Sequence, residues 1–204
     1  MVDRTRRDLL LDGFRVSLAG AAGCAVLPPA AALAVTSTAA PPETAPQRLI
    51  RLLRVELLLV FACQRILAAA VLYPRAERTV RTLLAHGEAH IEALRARLAA
   101  LGGVAPSPPA SITEADRNLA HRRVSERLGQ LRGAGDGLRL LLDVERVAVG
   151  AYFVALTKLE DPALIRLAAE IMANGAQHEA MLTALLDHDD VQQAVPYGLV
   201  QGSQ

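Results

Sequence analysis

Four stretches of the chain repeat their apolar positions every three to four residues, and no stretch alternates convincingly with a period of two. The pattern predicts an all-α fold with four long helices. The first runs over about 48–73 and stops before Pro74, and the second runs over about 75–101 and stops at Gly102-Gly103, a C-terminal signal. The third covers about 136–159, and the fourth starts at Asp161-Pro162 and reaches about 187. Between the second and third lie a Gly/Pro/Ser-rich loop, 102–111, and a polar stretch, 113–132, read as a shorter helix with Thr113 as its cap. This long middle connection predicts a four-helix bundle with one crossover.

Each predicted helix has a polar and an apolar side. On the first, Arg51, Arg54 and Arg65 share a stripe, while Glu56 lies about 170° away at 100° per residue, among Val55, Leu57 and Val60. On the second, Arg81, Glu88, Glu92 and Arg95 face one way. Leu83, Gly87, Leu94, Leu98 and Leu101 face the other, with His90 at their edge. On the third, Glu145 falls among Leu138, Leu141, Ala148, Val149 and Tyr152. On the fourth, Gly175 and His178 lie with Leu164, Ala168, Ile171 and Leu182. Glu56, His90, Glu145 and His178 thus each place one metal-ligating group on an apolar face.

The chain of 204 residues carries 22 basic and 21 acidic residues, so its charge favours no polyanion and nucleic acid is not an expected partner. Aromatic residues are 3% and Trp is absent, which argues against a base-stacking or sugar-stacking surface. Hydrophobic residues make up 52%, and part of that surplus sits at the start. Thr5-Arg6-Arg7-Asp8-Leu9-Leu10 precedes an uncharged run from Val16 to Leu27, then Pro28-Pro29 and Ala32-Leu33-Ala34. Residues 1–34 therefore read as a twin-arginine-type signal peptide and 35–47 as an Ala/Pro-rich linker. Residues 48–190 form the bundle and 191–204 a C-terminal tail.

Two exits from the signal remain open. Cleavage after Ala34 releases a soluble protein outside the cytoplasmic membrane, while lipidation at Cys24 in Ala21-Ala22-Gly23-Cys24 leaves it anchored. The membrane enters only through these two features. Gln64-Arg65 in mid-helix, with Arg48, Arg51, Arg54 and Glu56 near its start, argues against the first helix spanning a bilayer. A homodimer stays open, and no protein partner is named by the sequence.

Glu, His, Glu, His in order along four helices resembles the ferritin-like di-iron carboxylate superfamily. Leu94, Leu98, Leu101 and Gly102-Gly103 after His90 look like its exported ferritin-like domain proteins. So do Glu145 with Tyr152, the run Ala173-Asn174-Gly175-Ala176-Gln177-His178, and Val195-Pro196. The resemblance covers about 48–200 and implies a metal centre of iron, manganese or zinc in the bundle core. It also implies two Glu-x-x-His motifs, but here they read Gly87-Glu88-Ala89-His90 and Gly175-Ala176-Gln177-His178. Both bridging carboxylates are glycines, so di-iron oxidase chemistry is not expected and no catalytic residue is assigned. Glu88 points to the charged face and Glu179 lies about 100° from His178, so neither substitutes.

What remains pairs as Glu56 with His90 and Glu145 with His178. These pairs could hold a single metal, or be metal-free with each Glu neutralised by a charged His. Alternatively, the space left by the glycines could be taken by another ligand or an intruding side chain. Function follows the same split: metal handling or redox in the cell envelope, or a metal-free structural or interaction protein. Tyr152 is expected as core filler with its hydroxyl near the glutamates, and Cys63, seven residues after Glu56, as a small buried apolar group. His86 precedes His90 by four residues, a spacing used by zinc helices, but points toward the polar side. It is read as a supporting or surface residue. His121 is assigned to a solvated face, and His188 with Asp187, Asp189 and Asp190 to a charged helix end.

Overall fold

The computed structural model describes residues 43–187. The expected signal peptide, Cys24, the linker up to residue 42, His188 and the C-terminal tail lie outside the described residues.

The helices are α1 (Ala45–Ala68), α2 (Pro74–Ala100), α3 (Ile112–His121), α4 (Ala134–Leu156) and α5 (Pro162–Leu186), with a 3-10 turn at Leu128–Gln130. The first helix begins inside the stretch assigned to the linker. Thr44 and Gln47 form a capping box there, with Pro46 in the first turn. It ends at Ala68 rather than near 73, because Ala70 turns left-handed (φ 51) and the chain is extended before Pro74. The α2 terminus falls where Gly102-Gly103 predicted it. Gly102 takes φ 71, its N–H donates to Ala99 O, and the Gly103 N–H donates to Leu98 O, a Schellman ending. Leu101, expected on the apolar face, lies past the helix end and is 43% exposed.

The crossover helix differs from its expected form. Ser111, not Thr113, caps it by accepting the Glu114 N–H at 3.1 Å. It stops at His121 and the chain turns at Arg123 (φ 62). The following segment is tied back by Asp116, whose carboxylate accepts the N–H groups of Leu128 at 2.6 Å and Gly129 at 3.1 Å. The last helix starts where Asp161-Pro162 implied, with Asp161 accepting the Ala163 N–H at 2.7 Å.

The four long helices pack as α1 on α2, α4 on α5 and α1 on α4, while α2 and α5 meet over the smallest area. Two apolar clusters fill the bundle. One gathers Cys63, Ile66, Leu83, Leu119, Leu138, Leu141 and Leu182. The other gathers Leu53, Leu94, Leu98, Tyr152, Leu164 and Ile171. Each buried Leu contributes about 1.5–3 kcal/mol, so these clusters carry the fold. On α2, α4 and α5 the polar candidates fall between the residues of one cluster and those of the other, and on α1 Glu56 stands next to Leu57 of the second cluster and close to Leu58 of the first. The site is therefore a thin polar layer between two apolar ones. Among the described residues, no helix is long and apolar enough to cross a membrane.

Candidate functional site

Glu56 and Glu145 are both 2% exposed, on the facing sides of α1 and α4. Each meets the histidine of its own hairpin. Nδ1 of His90 lies 3.3 Å from Glu56 Oε2, and Nδ1 of His178 lies 2.8 Å from Glu145 Oε1. The two expected pairs are therefore the two observed pairs. Tyr152 donates its hydroxyl to Glu56 Oε1 at 2.9 Å, joining the halves across the α1–α4 contact.

The second ring nitrogen of His178 is also engaged: Nε2 lies 2.9 Å from Nδ1 of His86. The His86 and His178 rings stack at 5.2 Å, and the His90 and His178 rings at 6.5 Å. His86 is thus a supporting residue that touches the core pair, although much of its ring faces solvent.

The electrostatics differ from a charged Glu/His pair. Burial first, and then the neighbouring Glu56, push the Glu145 carboxyl well above the usual range. Burial, and then His90, lower His178 to about 4. Both directions disfavour an ion pair in this dry layer. Both shifts favour the neutral forms of Glu145 and His178 over a charged pair. Burial also raises the thiol of Cys63, which is fully buried and stays protonated, as a small apolar core residue does.

The glycines do not open a void. A Cβ at Gly87 would lie 2.9 Å from Val60 Cγ2, and one at Gly175 would lie 3.0 Å from Val149 Cγ2. Val60 follows Glu56 by four residues and Val149 follows Glu145 by four, so each stands one turn above its glutamate. A neighbouring side chain therefore stands against each glycine. The matched spacing Glu-x-x-x-Val in the two hairpins was the available signal. Glu179 was also missed. It is 7% exposed, with Oε1 lacking a hydrogen-bond partner and Oε2 4.0 Å from Arg146 Nε. Burial raises its carboxyl.

The family described as ferritin-like domain matches residues 35–188. The chain belongs to the ferritin-like domain family. Comparisons with curated proteins and with solved structures gave no match.

Membership raises the question of a di-metal centre, and these residues do not fit one. Two irons held together need bridging carboxylates as hard anionic ligands. In the two Glu-x-x-His motifs that the resemblance implies, the carboxylate positions would fall on Gly87 and Gly175, and a valine methyl stands against each. The remaining donors satisfy one another by hydrogen bonds. Among the described residues, no three His, Cys, Asp or Glu side chains converge as a metal-holding group.

Proposed function

We propose that this protein is an exported ferritin-like bundle whose core works without a di-metal centre, as a structural or interaction protein of the cell envelope. The observation that carries this reading is the pair of valine methyls seated where bridging carboxylates would begin. The hydrogen-bonded layer of Glu56, His90, Tyr152, Glu145 and His178 then specifies how the four helices register, since each buried polar group has one good partner. Export rests on Arg6-Arg7, the uncharged run that follows and Ala32-Leu33-Ala34.

The decisive test is metal analysis of the full chain purified without chelator and then dialysed against a weak one. The reading expects no retained iron, manganese or zinc. Near-stoichiometric metal that survives dialysis and disappears in Glu145→Gln would refute it. Export is tested separately: Arg6→Lys with Arg7→Lys should leave the precursor in the cytoplasm.

A second reading keeps one metal in the core, on Glu56, His90, Glu145 and His178. It is favoured by the Glu–His contact that each hairpin makes in the core. It requires the two histidines to exchange their glutamate hydrogen bonds for the ion.

A further inference from the structure

Two imidazoles reach the surface at the seam between α2 and α5. His86 is exposed, and the His90 side chain is 15% exposed. They are four residues apart on α2, so their Cβ atoms stand about 5–6 Å apart on one face. In each, Nδ1 is engaged inward, on Glu56 Oε2 for His90 and on His178 Nε2 for His86. Behind His178 stands Glu145, at 2.8 Å. Each outer imidazole is therefore backed by a buried carboxylate, directly in one case and through a second imidazole in the other. Asn174 also hydrogen-bonds the His86 side chain, and neither Nε2 is among the atoms of the two inward contacts.

This is the arrangement that orients metal-bound histidines. A carboxylate behind the ring fixes the tautomer and raises the basicity of the opposite nitrogen. We propose that His86 and His90 form a two-imidazole site for a divalent late transition ion (nickel, copper or zinc) on the outer edge of the α2–α5 seam. Imidazole nitrogens suit these ions, and a pair of histidines one helical turn apart can clasp one ion from a single helix. The remaining positions are open to water.

With the ring proton of His90 on Nδ1, toward Glu56 Oε2, and that of His86 on Nδ1, toward His178 Nε2, each Nε2 offers its lone pair to the ion; a proton resting on either Nε2 leaves to solvent as the ion binds. No oxidant or reductant is involved. The site goes beyond the proposed function and leaves the core free of metal.

The test is a calorimetric titration of the full chain with Zn²⁺, and Cu²⁺ electron paramagnetic resonance on the same protein. One saturable site with two imidazole nitrogens in the copper spectrum is expected. His86→Ala and His90→Ala should each leave one nitrogen and lower the Zn²⁺ affinity to a common weak level. His121→Ala and His188→Ala should change neither readout. His86 is exposed, so its variant should keep the parent circular dichroism. No saturable binding, unchanged affinity in His86→Ala, or loss of binding in His188→Ala overturns the proposal. Binding kept in His86→Ala and lost in Glu145→Gln would place the ion in the core, and would overturn the metal-free reading as well.

Discussion

Gly87→Ala separates a vacant core position from a filled one. In an open helix interior this change stabilises by about 1 kcal/mol through helix propensity. At Gly87 the new Cβ would lie 2.9 Å from Val60 Cγ2, closer than carbon atoms settle. Val60 is β-branched on a helix and holds one χ1 rotamer, so it yields little. Overpacking of this kind costs about 1–3 kcal/mol. The net expectation is a loss of about 0–2 kcal/mol, from a cost of 1–3 less a gain of 1. In a Val60→Ala background the obstructing methyl is gone, and the same substitution should instead gain about 1 kcal/mol. The cycle therefore shows a coupling of about 1–3 kcal/mol between two residues 27 positions apart. Urea unfolding followed by circular dichroism at constant slope measures all four proteins. A stabilising Gly87→Ala in the parent, with additive effects, would show that Val60 does not occupy the position. The reasoning about the missing carboxylates would then fail. Gly175→Ala against Val149, at 3.0 Å, should show the same sign with a smaller coupling.

Tyr152→Phe removes the donor to Glu56 Oε1 and leaves that oxygen buried, so stability should fall by about 1–3 kcal/mol in chemical denaturation. Glu179→Met should stabilise by about 1 kcal/mol at pH 7, because a buried carboxylate with one unpartnered oxygen and only a distant Arg146 is replaced by an apolar chain. The pH dependence has two opposed parts. His178 is depressed from 6.5 to about 4, so the stability present above pH 6.5 is lost as pH falls toward 4. Glu145 is raised, so it contributes stability at low pH that is lost as pH rises through its folded value. In the parent these slopes offset one another between pH 4.5 and 6.5, the two ordinary values. Glu145→Gln should expose the His178 loss alone, roughly 3 kcal/mol between pH 6.5 and 4 by unfolding midpoints. Matching pH profiles for parent and variant would refute the opposed shifts of Glu145 and His178.

The helices and the inner layer were legible for different reasons. Long amphipathic stretches with strong ends, such as Gly102-Gly103 and Asp161-Pro162, set helix number and order, because burial of one face overrides local detail. The ends that were missed depend on local chemistry that periodicity does not report. The capping box at Thr44 and Gln47 starts α1 early, Ala70 ends it early, and Asp116 holds the chain after α3 out of a helix. In the site, helical angles placed Glu56, His90, Glu145 and His178 inward because a helix has one phase. The reach of His86 was not legible. It depends on where α5 places His178 opposite α2, a tertiary relation that no single helix encodes. The charge state was not legible either: a Glu145 paired with His178 looks ionic on paper, but burial of both favours the neutral forms.

The two hairpins make the case against an accidental loss of ligands. In the first, Glu56, Val60, Gly87 and His90 follow one another; in the second, Glu145, Val149, Gly175 and His178 do, at nearly the same spacing. Loss of a carboxylate alone would leave a hole, and empty space in a packed core is destabilising. A valine one turn above each remaining glutamate fills the hole from the opposite helix, and glycine is the residue that lets it approach. Glycine and valine are thus two halves of one solution, present twice. The symmetry has a consequence for reconstruction. Gly87→Glu with Gly175→Glu alone drives two longer side chains into Val60 and Val149, and should yield an unstable protein that takes up no metal. The same pair combined with Val60→Ala and Val149→Ala restores both the bridging carboxylates and their room. If any combination recovers a di-metal centre, measured as two tightly held ions per chain after dialysis, it should be the fourfold variant. Tight binding of two ions by the glutamate pair without the valine changes would show that the methyls are not what excludes the centre.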